Sequence, residues 1–192
     1  MIFSCISEKE KSLLKDLIGK KLKYIKSEQK DSWNRIFGNL SIVTSDLEIE
    51  IRNELTETEY FGDKEDVSKF KISEISSENP FTLMVESPII ETKIEEKIAD
   101  IILVQDEISI KNSENQTIYE ITMDDAIVIK TEWSTYAISR EWSLEEELIF
   151  LKTSDYKKSI YSIEKLVSEW SDEDEKIKAD CKRTEFSLLN TL

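Results

Sequence analysis

Residues 38–54 read GNLSIVTSDLEIEIRNE, and their alternation decides what kind of fold the chain builds. In Leu47–Arg52, Leu47, Ile49 and Ile51 share one face of an extended chain, while Glu48, Glu50 and Arg52 share the other. Strict period-two alternation predicts an antiparallel strand with one dry and one wet face. Leu40–Val43 precedes it as a second strand and Thr44-Ser45-Asp46 supplies the turn, so the stretch reads as a β-hairpin. A near-echo follows at residues 126–141, AIVIKTEWSTYAISRE. Aligning Leu40 with Ala126 and Ile51 with Ile138 needs one extra residue in the second turn. A diverged duplication spanning about 17–75 and 97–151 is one reading. The other is that two hairpins of similar composition look alike, and it is favoured because the copies share no unusual residue.

Outward from these hairpins, Ser7-x-x-Glu10 has the capping-box pattern, and Leu13, Leu14, Leu17 and Ile18 follow at helical spacing before Gly19. A helix over about 8–18 is expected, then a strand over Lys20–Ser27. Glu54–Ser68 is polar and reads as a loop, leading to strands at Lys69–Ile75 and Phe81–Val85 around the break at Ser76–Pro80. Ile98–Gln105, Glu107–Lys111 and Thr117–Thr122 read as strands, with Asn112–Gln116 as a turn and Met123-Asp124-Asp125 as a separator. Ser143-x-x-Glu146 is a second capping box. Tyr156, Ile160, Ile163, Leu166, Val167 and Trp170 form a stripe at helical spacing after Ser154 or Asp155. The acids of Ser171–Glu175 suit the first turn of a last helix. The predicted fold class is α+β: a mostly antiparallel twisted sheet, with an N-terminal helix and two C-terminal helices packed on one face, in a single domain of 192 residues.

Composition narrows the chemistry. Histidine is absent, which removes the commonest general base and zinc ligand. The three glycines are scattered, so neither a P-loop nor a dinucleotide-binding turn can form. The two cysteines, Cys5 and Cys181, lack metal-site spacing and are expected to be reduced thiols. No cofactor is expected. Asp63-x-Glu65-Asp66 after Gly62 lacks the later ligands of an EF-hand loop, and Asp124-Asp125 fits a turn or cap. No signal peptide or membrane-length apolar run is evident, which points to the cytoplasm. Abundant isoleucine and lysine suggest an AT-rich bacterial or phage genome.

The formal net charge is −15, with residues 1–30 basic and the remainder strongly acidic. A field of that sign repels nucleic acid and anionic lipid and attracts basic proteins. Its densest stretch is Asp46–Asp66, where nine acids face only Arg52 and Lys64. Glu48 and Glu50 are expected on the wet strand face; Glu57, Glu59, Asp63, Glu65 and Asp66 follow, with Tyr60 and Phe61 among them. Trp33 and Trp133 fall in polar or turn sequence, where an indole serves contact more readily than core. These residues together are the candidate partner-binding set. The expectation is a non-enzymatic acidic protein that neutralises a basic partner, such as a toxin immunity protein or a phage-encoded inhibitor of a nucleic-acid-acting protein. A carboxylate-dependent hydrolase and a structural or sugar-binding module are the alternatives.

Overall fold

In the computed structural model, which describes residues 1–31, 35–83, 88–140, 146–172 and 176–190, the first hairpin forms as the alternation requires. Leu40 lies opposite Ile51 and Ile42 opposite Ile49. The strands are β3 (Arg35–Val43) and β4 (Glu48–Tyr60), and a fifth strand, β5 (Asp63–Glu74), continues the meander after β4. Before them come β1 (Ile2–Ser4), helix α1 (Glu8–Lys15) and β2 (Lys21–Lys30). After them come β6 (Ile90–Lys111), β7 (Thr117–Thr131), β8 (Thr135–Arg140) and β9 (Leu148–Lys152). A single 3-10 turn over Tyr156–Lys158, helix α2 (Ile163–Glu169) and β10 (Lys178–Ser187) complete the described chain.

The strands share one hydrogen-bonded sheet whose pairings close on themselves. The circuit runs β7–β8–β9–β3–β2–β6 and returns from β6 to β7. Every pairing in it is antiparallel; β1 alone joins in parallel, on β7. Closure removes most strand edges, which would otherwise be open to pairing with other chains. The long β6 makes it work. Its first half pairs with β2, and its second half lies between β7 and β10.

Three apolar clusters fill this frame. The largest is built by inward residues of β2 to β9, including Leu22, Leu40, Ile49, Ile51, Phe70, Ile101, Ile127, Ile138 and Leu148, and is closed by Leu14 and Leu17. Each such side chain contributes roughly 1.5–3 kcal/mol on burial. A second cluster joins Val67, Ile108, Ile110, Ile121 and Met123 to Leu166 and Trp170. A third, with Val104, Val128 and Ala137, lies under Ile160.

The capping box at α1 is present: Ser7 N donates to Glu10 Oε2 at 2.7 Å, and Glu10 N to Ser7 Oγ at 3.3 Å. Glu10 also does tertiary work, because its Oε1 accepts from Ile72 N on the edge of β5 at 3.0 Å. Helix α1 ends earlier than expected, at Lys15. In β3, Gly38 has φ +112, and a Cβ there would sit 1.4 Å from the Glu28 carboxylate. Only glycine lets that buried side chain approach the strand.

The fold class differs from the sequence expectation. The described residues form a predominantly antiparallel β structure with two short α-helices, not an α+β fold with helices stacked on one face. The polar loop expected over Glu54–Ser68 is strand on both sides of a turn at Phe61-Gly62; of the last helix expected from Ser171–Glu175, residues 173–175 lie outside the described residues and Lys178–Ser187 is strand. Two-sided polarity hid both, because these strands stand partly clear of the core and lack clean alternation. Met123-Asp124-Asp125 does not separate two strands but lies inside β7, at a register shift opposite Val104 and Gln105. The stripe over 156–170 divides into the 3-10 turn and α2, whose N-cap is Ser162. The strand expected at Phe81–Val85 is absent over residues 81–83, and its last residues, like Ser143, lie outside the described residues.

The two echoing hairpins correspond register for register. Leu40 opposes Ile51 as Ile127 opposes Ile138, and Ile42 opposes Ile49 as Ile129 opposes Tyr136. Their turns share a threonine device as well: the Oγ1 of Thr44 and of Thr131 bonds both the C=O and the N–H of the residue three positions on. This register needs no extra residue in the second turn. Among the described residues, no helix is long and apolar enough to cross a membrane.

Candidate partner-binding surface

Beyond Ile51, β4 leaves β3 and runs on with β5 alone as a two-stranded arm, in register from Arg52 opposite Lys71 to Tyr60 opposite Asp63. Phe61 and Gly62 form its two-residue tip at φ 53 and 92, the left-handed pair that a type I′ turn needs. The arm buries different faces along its length. Near its base Ile49, Ile51, Phe70 and Ile72 enter the first cluster, while near its tip Val67 and Tyr60, on the opposite pleat, pack in the second. This switch leaves Leu55, Glu57, Glu59 and Asp66 on a solvated face, with Phe61, Asp63 and Glu65 exposed at the tip. Lys64, the one base there, reaches Glu57 at 2.7 Å.

Aromatic rings anchor the tip. Tyr60 meets Phe61, Tyr119 and Trp170 edge-on at centroid distances of 4.7, 5.1 and 5.5 Å. The Tyr119 hydroxyl donates to the Glu59 carbonyl, so β7 fastens the end of β4. Burial, and then the Glu59 charge, raise the Tyr119 pKa above its ordinary value. Between the tip and the end of α2 lies a cleft of about 270 Å³, walled by Tyr60, Phe61 and Trp170 and rimmed by Glu65, Glu169 and Asp172.

Other members of the candidate set fall elsewhere. Glu48 is half-buried, pairing with Lys26 at 2.9 Å and accepting from Ser41 Oγ at 2.7 Å. Glu50 is not on a wet face: it is 1% exposed, and accepts from Thr82 N at 2.9 Å and Asn39 Nδ2 at 3.2 Å. The segment after Pro80 folds over that side of the hairpin, which alternation alone cannot reveal. Trp133 is 84% exposed at the β7–β8 turn, beside a shallow groove with Lys152 and Ser154. It is not part of the arm. Trp33 lies outside the described residues.

The polar centre of the molecule escaped the sequence reading. Arg140, fully buried, donates from Nη1 to the Ser68 carbonyl at 2.6 Å and from Nη2 to the Asp124 carbonyl, and stacks over Phe70 at 5.0 Å. Burial lowers its pKa. Asp124 accepts from Ile6 N at 2.7 Å and Gln105 Nε2 at 3.1 Å, at the floor of a groove of about 310 Å³ beside α1. Next to it in the chain, Asp125 shares Arg183 with Asp106. Burial first, then the Asp106 charge, push Asp125 up to about 7. The only signal was an acidic pair inside an otherwise apolar run. Burial pushes the thiols of Cys5 and Cys181 up to about 12, and neither is in a disulfide. No cluster of three potential metal ligands occurs among the described residues.

Neither a protein-family model, nor a curated protein, nor a solved structure matches the chain.

Proposed function

We propose that the chain is a non-enzymatic acidic protein that docks a basic protein partner through the β4–β5 arm. The observation that supports this reading is the arm itself. Glu57, Glu59, Asp63, Glu65 and Asp66 are exposed on a hairpin held at both ends by apolar packing, with one lysine among them. Carboxylates on a rigid support steer a cationic surface into place with little ordering cost. A cytoplasmic immunity protein for a basic toxin, or a phage inhibitor of a nucleic-acid-acting protein, would use such a surface.

The test is a charge reversal, E57K/E59K/D66K, in protein used to capture partners from the native host. A basic protein should be retained by the wild type, lost with rising salt, and bound by the folded variant with a slower association rate. Equal association of wild type and variant with the captured protein would sink the proposal.

A further inference from the structure

The cleft at the tip of the arm has the chemistry of a receptor for one cationic side chain. Its walls are the rings of Tyr60, Phe61 and Trp170, and its charged lining residues among those described are all carboxylates: Glu65, Glu169 and Asp172. Aromatic faces attract guanidinium and ammonium groups through the ring quadrupole, and flanking carboxylates add charge. At about 270 Å³ the cleft falls below the roughly 300–1,000 Å³ of sites for drug-sized ligands, and suits a single side chain.

Two further observations point to an occupant. Trp170 is only 8% exposed, and its indole N–H has no hydrogen-bond partner among the described residues. That donor is itself closed to solvent, so its unpaired state marks a costly place in the cleft wall. Phe61, a bulky residue at φ 53, is 47% exposed at a position where asparagine would relieve the backbone. It lines the cleft at a conformational cost. The rim is also held in place, because Asp172 and Ile177 exchange backbone hydrogen bonds at 3.0 and 2.7 Å.

We infer that this cleft binds an arginine or lysine side chain of the basic partner, with the cation against the wall of Phe61 and Trp170 and its charge balanced by Glu65, Glu169 and Asp172. The inference rests on the arm being the docking edge and names the anchor within it.

The probe is an acetylated, amidated Gly-Arg-Gly peptide, with the neutral citrulline peptide as its isosteric control. The reporter is the Trp170 indole N–H resonance in the full-length protein. The arginine peptide should shift it saturably, and the citrulline peptide should not. Phe61→Asn keeps the turn and removes the ring; Glu65→Gln keeps the shape and removes an exposed charge. Each should weaken the arginine peptide about three- to tenfold. Equal binding of the citrulline peptide, or unchanged affinity in both variants, overturns the inference. If arm reversal slows partner association while the cleft variants leave peptide and partner binding intact, the cleft fails and the docking edge stands. If the peptide binds as described but arm reversal leaves partner binding unchanged, the cleft stands and the docking edge fails.

Discussion

Arg183 of β10 holds both carboxylate oxygens of Asp106 on β6, Nε to Oδ1 at 2.8 Å and Nη2 to Oδ2 at 2.7 Å. The same Nη2 lies 3.0 Å from Asp125, and Nη1 donates to the Tyr161 carbonyl at 2.8 Å. One guanidinium therefore ties the last strand, the central hairpin and the approach to α2 together. Burial works against its charge, but Asp106 and Asp125 outweigh that and raise its pKa. Removing one member of a buried ion pair leaves its partner uncompensated, at a cost of about 3–5 kcal/mol. Arg183→Met should lower the urea midpoint accordingly. Arg183→Lys should recover only part of the loss, since an ammonium cannot make the two-point contact.

Asp125 gives a pH dependence of definite sign. Its folded pKa of about 7 lies above the ordinary value of 3.8, so the folded state holds the proton more tightly than the unfolded chain. Its contribution is therefore most favourable below about pH 4 and is lost as pH rises towards about 7. Asp124 is raised as well, by burial, and adds to the trend. Glu10 opposes it: burial pushes up, but bonds from Ser7 and Ile72 prevail and lower its pKa, so its stabilisation is lost on acidification. Thermal midpoints from pH 5 to pH 8 should fall in the wild type and fall less in Asp125→Asn. An identical slope in that variant would assign the dependence to other groups.

Glu50 and Glu57, both in β4, should respond in opposite ways to the same substitution. Glu50→Lys places a cation where Thr82 N and Asn39 Nδ2 already donate, and should cost several kcal/mol, on the order of other buried unpaired charges. Glu57→Lys lies on the solvated face and should stay within about 0.5 kcal/mol. Calorimetric unfolding of the two variants checks the difference directly.

Gly38 and Gly62 both have positive φ, but they differ in the space around them. Nothing lies within 4 Å of a Cβ at Gly62, whereas one at Gly38 would overlap the Glu28 carboxylate at 1.4 Å. Gly62→Ala should cost the backbone penalty alone, about 1 kcal/mol. Gly38→Ala should cost clearly more, because Glu28 accepts from Asn39 N at 3.0 Å and is only 1% exposed. Equal losses by chemical denaturation would show that Glu28 moves aside freely.

Local chemistry carried what could be read without the fold. Ser7 and Glu10 announce the start of α1, because a capping box is a contact between residues three apart. Leu47, Ile49 and Ile51 announce β4, because a half-buried strand writes its two faces into every second residue. The acidity of residues 46–66 is likewise plain from composition.

What the sequence could not decide depends on contacts far along the chain. Glu48 and Glu50 read as a wet strand face and Glu57 as part of a polar loop, yet only Glu57 is exposed; Thr82 and Asn39 cover Glu50, and Lys26 with Ser41 holds Glu48. The strand character of residues 54–66 and of β10 was hidden because their order comes from the partners they pair with, not from an apolar pattern of their own. Arg140 and Arg183 bring together aspartates and carbonyls scattered from Ser4 to Tyr161, a charge balance visible only after the strands have paired. The acidic character of the chain was thus a property of its residues, while which acids face solvent was decided by tertiary burial, since burial admits a charge only where donors already wait for it.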